Sequence, residues 1–213
     1  QPKEVIFCKR CVVSNHRPRI TFDKNGVCSA CQWFEEKNAI DWDAREKMLR
    51  KLLDTHRSKN GGYDVVVPSS GGKDSAIVVH KLKHVYGMHP LTVTWAPFVY
   101  TNIGWENYLA FKDSGFDNLL CFPDGKLHRK LARLAFECLG DAWEPFAYGQ
   151  MSYPFHIAVK FGIPLIFLGE NGPLEYTGEM KNKDMPYEKI EDWSEEYYKG
   201  SGLHELVRVG LKK

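Results

Sequence analysis

An apolar run, Tyr63-Asp64-Val65-Val66-Val67-Pro68, leads almost directly into Ser70-Gly71-Gly72-Lys73-Asp74-Ser75, and a helical pattern follows. A strand, a glycine-rich turn and a helix in that order commit the chain to an α/β unit whose turn faces a ligand. Two adjacent glycines permit a sharp turn with consecutive exposed N–H groups. Together with the positive end of the following helix, these cradle phosphate oxygens. Ser70 and Ser75 add hydroxyl donors, so ATP is the ligand to expect. A Walker A loop would need glycine at position 67 and Ser or Thr at position 74. Val67 and Asp74 stand there and exclude it. The alternative is a glycine-rich strand-to-helix turn with no ligand.

Ser-Gly-Gly-x-Asp-Ser resembles the pyrophosphate loop of the ATP pyrophosphatases, the group that includes GMP synthetase, asparagine synthetase and the tRNA thiolation enzymes. The resemblance implies cleavage of ATP between its α and β phosphates. By the same motif Lys73 fills a variable position, in contact with phosphate or facing solvent.

Cys8-x-x-Cys11 and Cys28-x-x-Cys31, separated by sixteen residues, have the spacing of a tetrathiolate metal site. Each pair directs two thiolates at one tetrahedral ion, and the metal replaces a core that some forty residues can hardly build. Four thiolates leave no open coordination position, so a structural Zn2+ is expected. Two disulfides or an iron–sulfur cluster are the alternatives. The chain shows no stretch like a signal peptide or a membrane span, which argues for a reducing, cytoplasmic setting and against disulfides.

The 213 residues, 43% hydrophobic and 26% charged with net charge +2, suit one α/β domain with a small appendage. Residues 1–60 carry thirteen Lys/Arg against eight Asp/Glu, and residues 61–213 carry sixteen against nineteen. A slightly acidic main domain offers no large nucleic-acid footprint, and neither nucleic acid nor membrane insertion is expected. The domain reading is a four-cysteine zinc-binding module over 1–40, a linker helix over 41–62 and an ATP-binding α/β domain over 63–213.

Within that domain, hydrophobic periodicity predicts helices and strands in alternation. Asp41–Arg57 reads as an amphipathic helix with Trp42, Met48, Leu49, Leu52 and Leu53 near one face. Residues 73–86 follow the loop, with Ile77, Val78, Leu82 and Val85 as the buried stripe. Strands are predicted at 91–95, 118–122 and 164–168, and helices at 105–114, 126–139 and 152–161. The fold class is α/β: a doubly wound, mainly parallel sheet with helices on both faces, preceded by the cysteine module.

Ligands of such sheets bind beyond the carboxyl ends of the strands, near the point where strand order reverses. The candidate nucleotide-binding residues are therefore Ser70, Gly71, Gly72, Lys73, Asp74 and Ser75 after the first strand. Thr94 and Trp95, at the end of the second, are placed to line an adenine or ribose pocket, and Gly169, Glu170 and Asn171 follow a later one. Asp74, Ser75 and Glu170 are the candidate catalytic residues: the Glu170 carboxylate and Asn171 amide hold Mg2+ on the phosphates or the acceptor substrate, and Asp74 acts through the magnesium or by fixing the loop. Core packing is the alternative for Trp95, and a helix cap for Glu170. Cys121 and Cys138 read as core residues.

The string from Cys8 to Asp23 and then Gly26-Val27-Cys28-Ser29-Ala30-Cys31 is similar to the opening of the N-acetyl sugar amidotransferase family of surface-polysaccharide and nonulosonate biosynthesis. Ser70–Ser75, the stretch from Tyr86 to Trp95, residues 163–171 and Glu175-Tyr176-Thr177-Gly178 extend the resemblance over nearly the whole chain. The family implies conversion of an acetamido group on a sugar into an acetamidino group, in the synthesis of lipopolysaccharide O-antigen or nonulosonic acid. The substrate would be a nucleotide-linked sugar or a free nonulosonate. No glutaminase signature is present. The resemblance implies that ammonia arrives from a partner glutaminase through a barrel subunit, like the two components of imidazole glycerol phosphate synthase. Family members are expected to run longer, so the chain is expected to be C-terminally incomplete. Met185–Tyr198 reads as a solvated helix or a flap. A tRNA-thiolating enzyme and a non-catalytic nucleotide-binding subunit of a glutaminase complex are the rival readings.

Overall fold

The computed structural model describes residues 4–17, 19–170, 202–210 and 212. Asn171, the Glu175–Gly178 stretch and Met185–Tyr198 lie outside the described residues. Two compact units emerge, one within Gln1–Leu49 and the other built from Arg50–Glu170 with the described part of Trp193–Lys213. The division falls inside the helix that was expected to act as a linker.

The first unit is a small turn-rich module. Asp23 closes its central turn: Oδ1 accepts from the N–H groups of Asn25 (2.9 Å) and Val27 (2.8 Å), and Gly26 at φ +77° supplies the left-handed residue. Isolated antiparallel bridges join Phe7 to Ser14 and Phe22 to Cys28, and helix α1, Ser29–Glu36, starts directly after Cys28. Helix α2, Trp42–Thr55, follows. Of its expected stripe Leu53 alone is fully buried, while Trp42, Met48 and Leu52 are exposed.

In the second unit, strands β1 (Val65–Pro68), β2 (Pro90–Trp95) and β3 (Asp117–Cys121) form a parallel sheet in the order β1-β2-β3. Helices α3 (Lys73–His84) and α4 (Asn102–Asp113) connect them, and α5 (Gly125–Leu139) and α6 (Glu144–Phe161) follow β3. A further helix, α7, spans Gly202–Gly210. Ile166 pairs in parallel with Val66 on the far side of β1, so the chain returns across the sheet and strand order reverses at β1. The predicted strand at 164–168 is reduced to this single bridge. Val66 N–H donates to Leu165 O and Phe167 N–H to Val66 O, both at 2.9 Å, and the next donor in register would be Pro68, which has no N–H.

Alternate side chains of β2 face opposite ways. Leu91 and Val93 pack with Val66, Ile157, Ala158 and Ile163 against α6, while Thr92 and Thr94 point towards α4. Helices therefore cover both faces. Each fully buried aliphatic side chain in that cluster contributes ~1.5–3 kcal/mol by removal from water.

Three sequence expectations need correction. In α3 the buried residues are Val79 and Leu82, whereas Ile77 and Val85 are each 52% exposed, because the helix turns a narrower stripe to the sheet. Helix α6 begins at Glu144 rather than near 152, and Gly149 and Pro154 lie inside it. Cys138 is exposed on α5 rather than in the core. Among the described residues no helix is long and apolar enough to cross a membrane.

Candidate functional site

The loop after β1 has the conformation its glycines permit. Gly71 sits at φ +81°, in the left-handed region, and Gly72 is the extended N-cap of α3. Gly72 N–H donates to Ser70 Oγ (3.3 Å), and Ser75 Oγ donates to Gly72 O (3.2 Å), which ties the turn to the first turn of the helix. The positive end of α3 then faces the space beyond the sheet.

The residues after the returning segment meet that turn. A Cβ at Gly169 would lie 3.2 Å from Ser75 N and 3.3 Å from Asp74 C, so glycine lets the Gly169–Glu170 backbone run against the start of α3. This contact forms a solvent-open cavity of about 110 Å³. Ser70, Gly72, Asp74 and Ser75 line one side and Gly169 and Glu170 another, with Trp95 at the end of β2. Seven of the residues singled out from sequence thus share one cavity at the strand-order reversal.

Other candidates stand elsewhere. Lys73 does not line the cavity. Its side chain is 88% exposed, and its ammonium pairs with both oxygens of its neighbour Asp74, at 2.7 and 2.9 Å. Gly71 is pressed against α4. Thr94 is buried on the α4 face, where its hydroxyl accepts from Asn118 Nδ2 at 3.0 Å, and it does not line the cavity.

Helix α6 supplies what the sequence reading missed: Phe146, Gln150, Tyr153 and Pro154 form a further wall. Pro154 has no N–H to return to the Gln150 carbonyl one turn back, which loosens the helix beside the cavity. Trp95 packs at a tilt against Tyr153 at 5.8 Å and edge-on to buried His128 at 6.3 Å. Its indole Nε1 is buried without a hydrogen-bond partner among the described residues. Burial holds the His128 imidazole below its usual range, against a hydrogen bond to the Pro145 carbonyl, and pushes the Tyr153 phenol up. The signal available for this wall was the aromatic-rich, apolar stretch from 143 to 151, which runs straight into the helix predicted at 152–161 and in which Gly149 obscured the helical pattern.

The cysteine module brings its four sulfurs within 4.8 Å of one another, with Cys11 Sγ 3.7 Å from Cys28 Sγ. A tetrahedron of thiolates at ~2.3 Å from zinc has edges of roughly 3.8 Å, so the spacing fits. Backbone N–H groups of Arg10 and Cys28 donate to Cys8 Sγ at 3.3 and 3.2 Å. Burial opposes ionisation of Cys8, but these donors and that of Cys11 bring its thiol down to about 6. Cys31 is pushed up to about 12, by its contact with Cys11 first and burial second. Thiolate ligands of this kind release protons when a metal binds, so affinity for the ion rises with pH. Among the described residues this is the one cluster of three or more potential metal ligands.

A larger cleft of about 440 Å³ lies on the opposite side of β1, beside the ends of α2 and α6. Its Arg57 is committed to Asp54 and to the carbonyls of Tyr86 and Gly87. None of the residues predicted for chemistry lines it.

No family model matches the chain, and no curated protein matches it. Among solved structures it is similar to an NH3-dependent NAD synthetase from Campylobacter jejuni subsp. jejuni NCTC 11168 in complex with the nitrate ion. That likeness has 17% identity and a TM-score of 0.47, over 65% of this chain and 61% of that one. An NMN synthetase from Francisella tularensis is similar at 16% identity and the same TM-score, over 65% of this chain and 58% of that one. The chain thus spans about three-fifths of the length of each.

Proposed function

We propose that the chain is an ATP-dependent amidotransferase that activates an acetamido carbonyl of a diacetamido sugar and lets ammonia replace its oxygen. The observation that carries this reading is the cavity at the strand reversal, which Ser70, Gly72, Asp74 and Ser75 of the loop line together with Glu170. The resemblance of the chain to N-acetyl sugar amidotransferases supplies the sugar.

An amide oxygen is a poor leaving group and must be converted into a better one. In the proposed reaction the carbonyl oxygen attacks the α phosphorus of ATP and the bond to the β-phosphate oxygen breaks, releasing pyrophosphate. Ammonia then adds to the imidate carbon, the C–O bond breaks, AMP leaves, and one proton is released with the acetamidine. Ser70, whose Oγ already accepts from Gly72 N–H, keeps its hydroxyl proton for the departing pyrophosphate, Gly72 N–H and the Ser75 hydroxyl would exchange their contacts within the turn for phosphate oxygens, and the start of α3 opposes its charge. Asp74 and Glu170 offer the hard oxygen donors that suit Mg2+, which would neutralise phosphate charge. Trp95, Phe146 and Tyr153 give the cavity an apolar wall against which the non-reacting part of a ligand can pack.

The four-cysteine module, with its convergent thiolates, suits a structural Zn2+ without an open position. Ammonia comes from a partner glutaminase through a barrel subunit in this reading, and a cytoplasmic location goes with it. Assaying the isolated chain with ammonium or with glutamine tests the division of labour. Amidination with ammonium alone is expected, and equal activity with glutamine overturns it.

A further inference from the structure

The loop is braced from outside the cavity. A Cβ at Gly71 would sit 3.0 Å from Cα and 3.1 Å from N of Tyr108, so the loop rests directly on the backbone of α4. The space between them admits no side chain, so a shift of α4 towards the loop displaces Gly71.

What anchors this part of α4 to the sheet is polar. Tyr108 OH donates to Asn118 Oδ1 at 2.7 Å. Asn118 Nδ2 donates to Thr92 Oγ1 at 2.9 Å and to Thr94 Oγ1 at 3.0 Å, and the Thr92 hydroxyl donates to the Asp117 carbonyl at 2.6 Å. Thr92, Thr94 and Tyr108 are buried. Aliphatic packing tolerates sliding, whereas a buried chain of directional bonds admits one separation and one register. Leaving any member unpaired there costs far more than it would at the surface.

We propose that Tyr108 and Asn118 are positioning residues for the phosphate loop. Their hydrogen bond sets the distance of α4 from β2 and β3 and, through the Tyr108 backbone, the seat of Gly71. Neither side chain lines the cavity, so both act through the loop. The inference rests on the reading of Ser70–Ser75 as a pyrophosphate loop.

Titrating MgATP and pyrophosphate into the unmodified protein, Tyr108→Phe, Gly71→Ala and the double variant tests it, at a temperature where melting curves show all four folded. Tyr108→Phe keeps the ring and is expected to weaken both ligands by the same factor, roughly three- to tenfold. Gly71→Ala disturbs the same contact, so the double variant is expected to lose less than the product of the single losses. A lower melting temperature with unchanged affinities overturns the positioning role, as do losses that multiply independently. Should Tyr108→Phe not fold, Thr94→Val at the far end of the network is expected to weaken both ligands less but in the same sense, and unchanged affinity overturns the role. If the unmodified protein binds neither ligand, the pyrophosphate-loop reading itself falls and takes the positioning role with it.

Discussion

Trp95 occupies the space that a side chain on Gly149 would need: a Cβ there would lie 2.0 Å from Trp95 Cε2 and 2.3 Å from Nε1. The indole at the end of β2 is thus seated on the bare backbone of α6, and the cavity wall depends on that seat. In an exposed helix, Gly→Ala gains about 1 kcal/mol. Here the overlap is with a rigid ring and reverses the sign. Gly149→Ala is expected to destabilise the protein by about 1–3 kcal/mol, read from denaturant unfolding. A gain in stability would show that α6 and Trp95 are not in this contact.

The fold stores a pH dependence at His128, which is 7% exposed and whose imidazole is held below its usual range by burial. A depressed base favours the neutral form, so its contribution is complete above the unfolded value near 6.5 and is lost as pH falls through the lower folded value. Melting temperature is expected to fall as pH drops below about 6.5 more steeply in the unmodified protein than in His128→Gln. Parallel profiles would assign the acid sensitivity elsewhere.

These two features show where the sequence was legible and where it was not. The Ser70–Ser75 loop could be read because its chemistry is local: the glycines, hydroxyls and helix start that make the cradle are contiguous. Four cysteines could be read for the same reason, since spacing alone directs each pair at one ion. The first half of α6 was hidden because Gly149 is a breaker locally and is explained only by Trp95 of β2, which rests on its bare backbone. Thr94 shows the complementary limit. Its place at a strand end was clear, but alternation turns it towards α4, and only the Asn118 contact reveals which face that is.

The metal site has its own test. The purified chain is expected to hold one zinc ion, and in the loaded protein two of the six cysteines, Cys121 and exposed Cys138, are expected to react with a thiol reagent. Chelation is expected to release all six thiols and to unfold the module, whose metal contributes on the order of 10 kcal/mol. Six reactive thiols before chelation would exclude the tetrathiolate centre.

Glu170 tests the acidic side of the cavity. Glu170→Gln keeps the shape of the side chain and removes its charge. It is expected to lower the rate of pyrophosphate release by roughly a hundredfold, while leaving the melting temperature within a degree or two. An unchanged rate would remove Glu170 from the chemistry and leave it a cavity rim.

The most direct measurement is product analysis of ATP incubated with the chain, magnesium, ammonium and a panel of diacetamido sugars. AMP and pyrophosphate in equal amounts, with a sugar one mass unit lighter, are the expected products. ADP and phosphate, or AMP formed with unmodified tRNA and a sulfur donor while every sugar stays unchanged, would contradict amidination of a sugar.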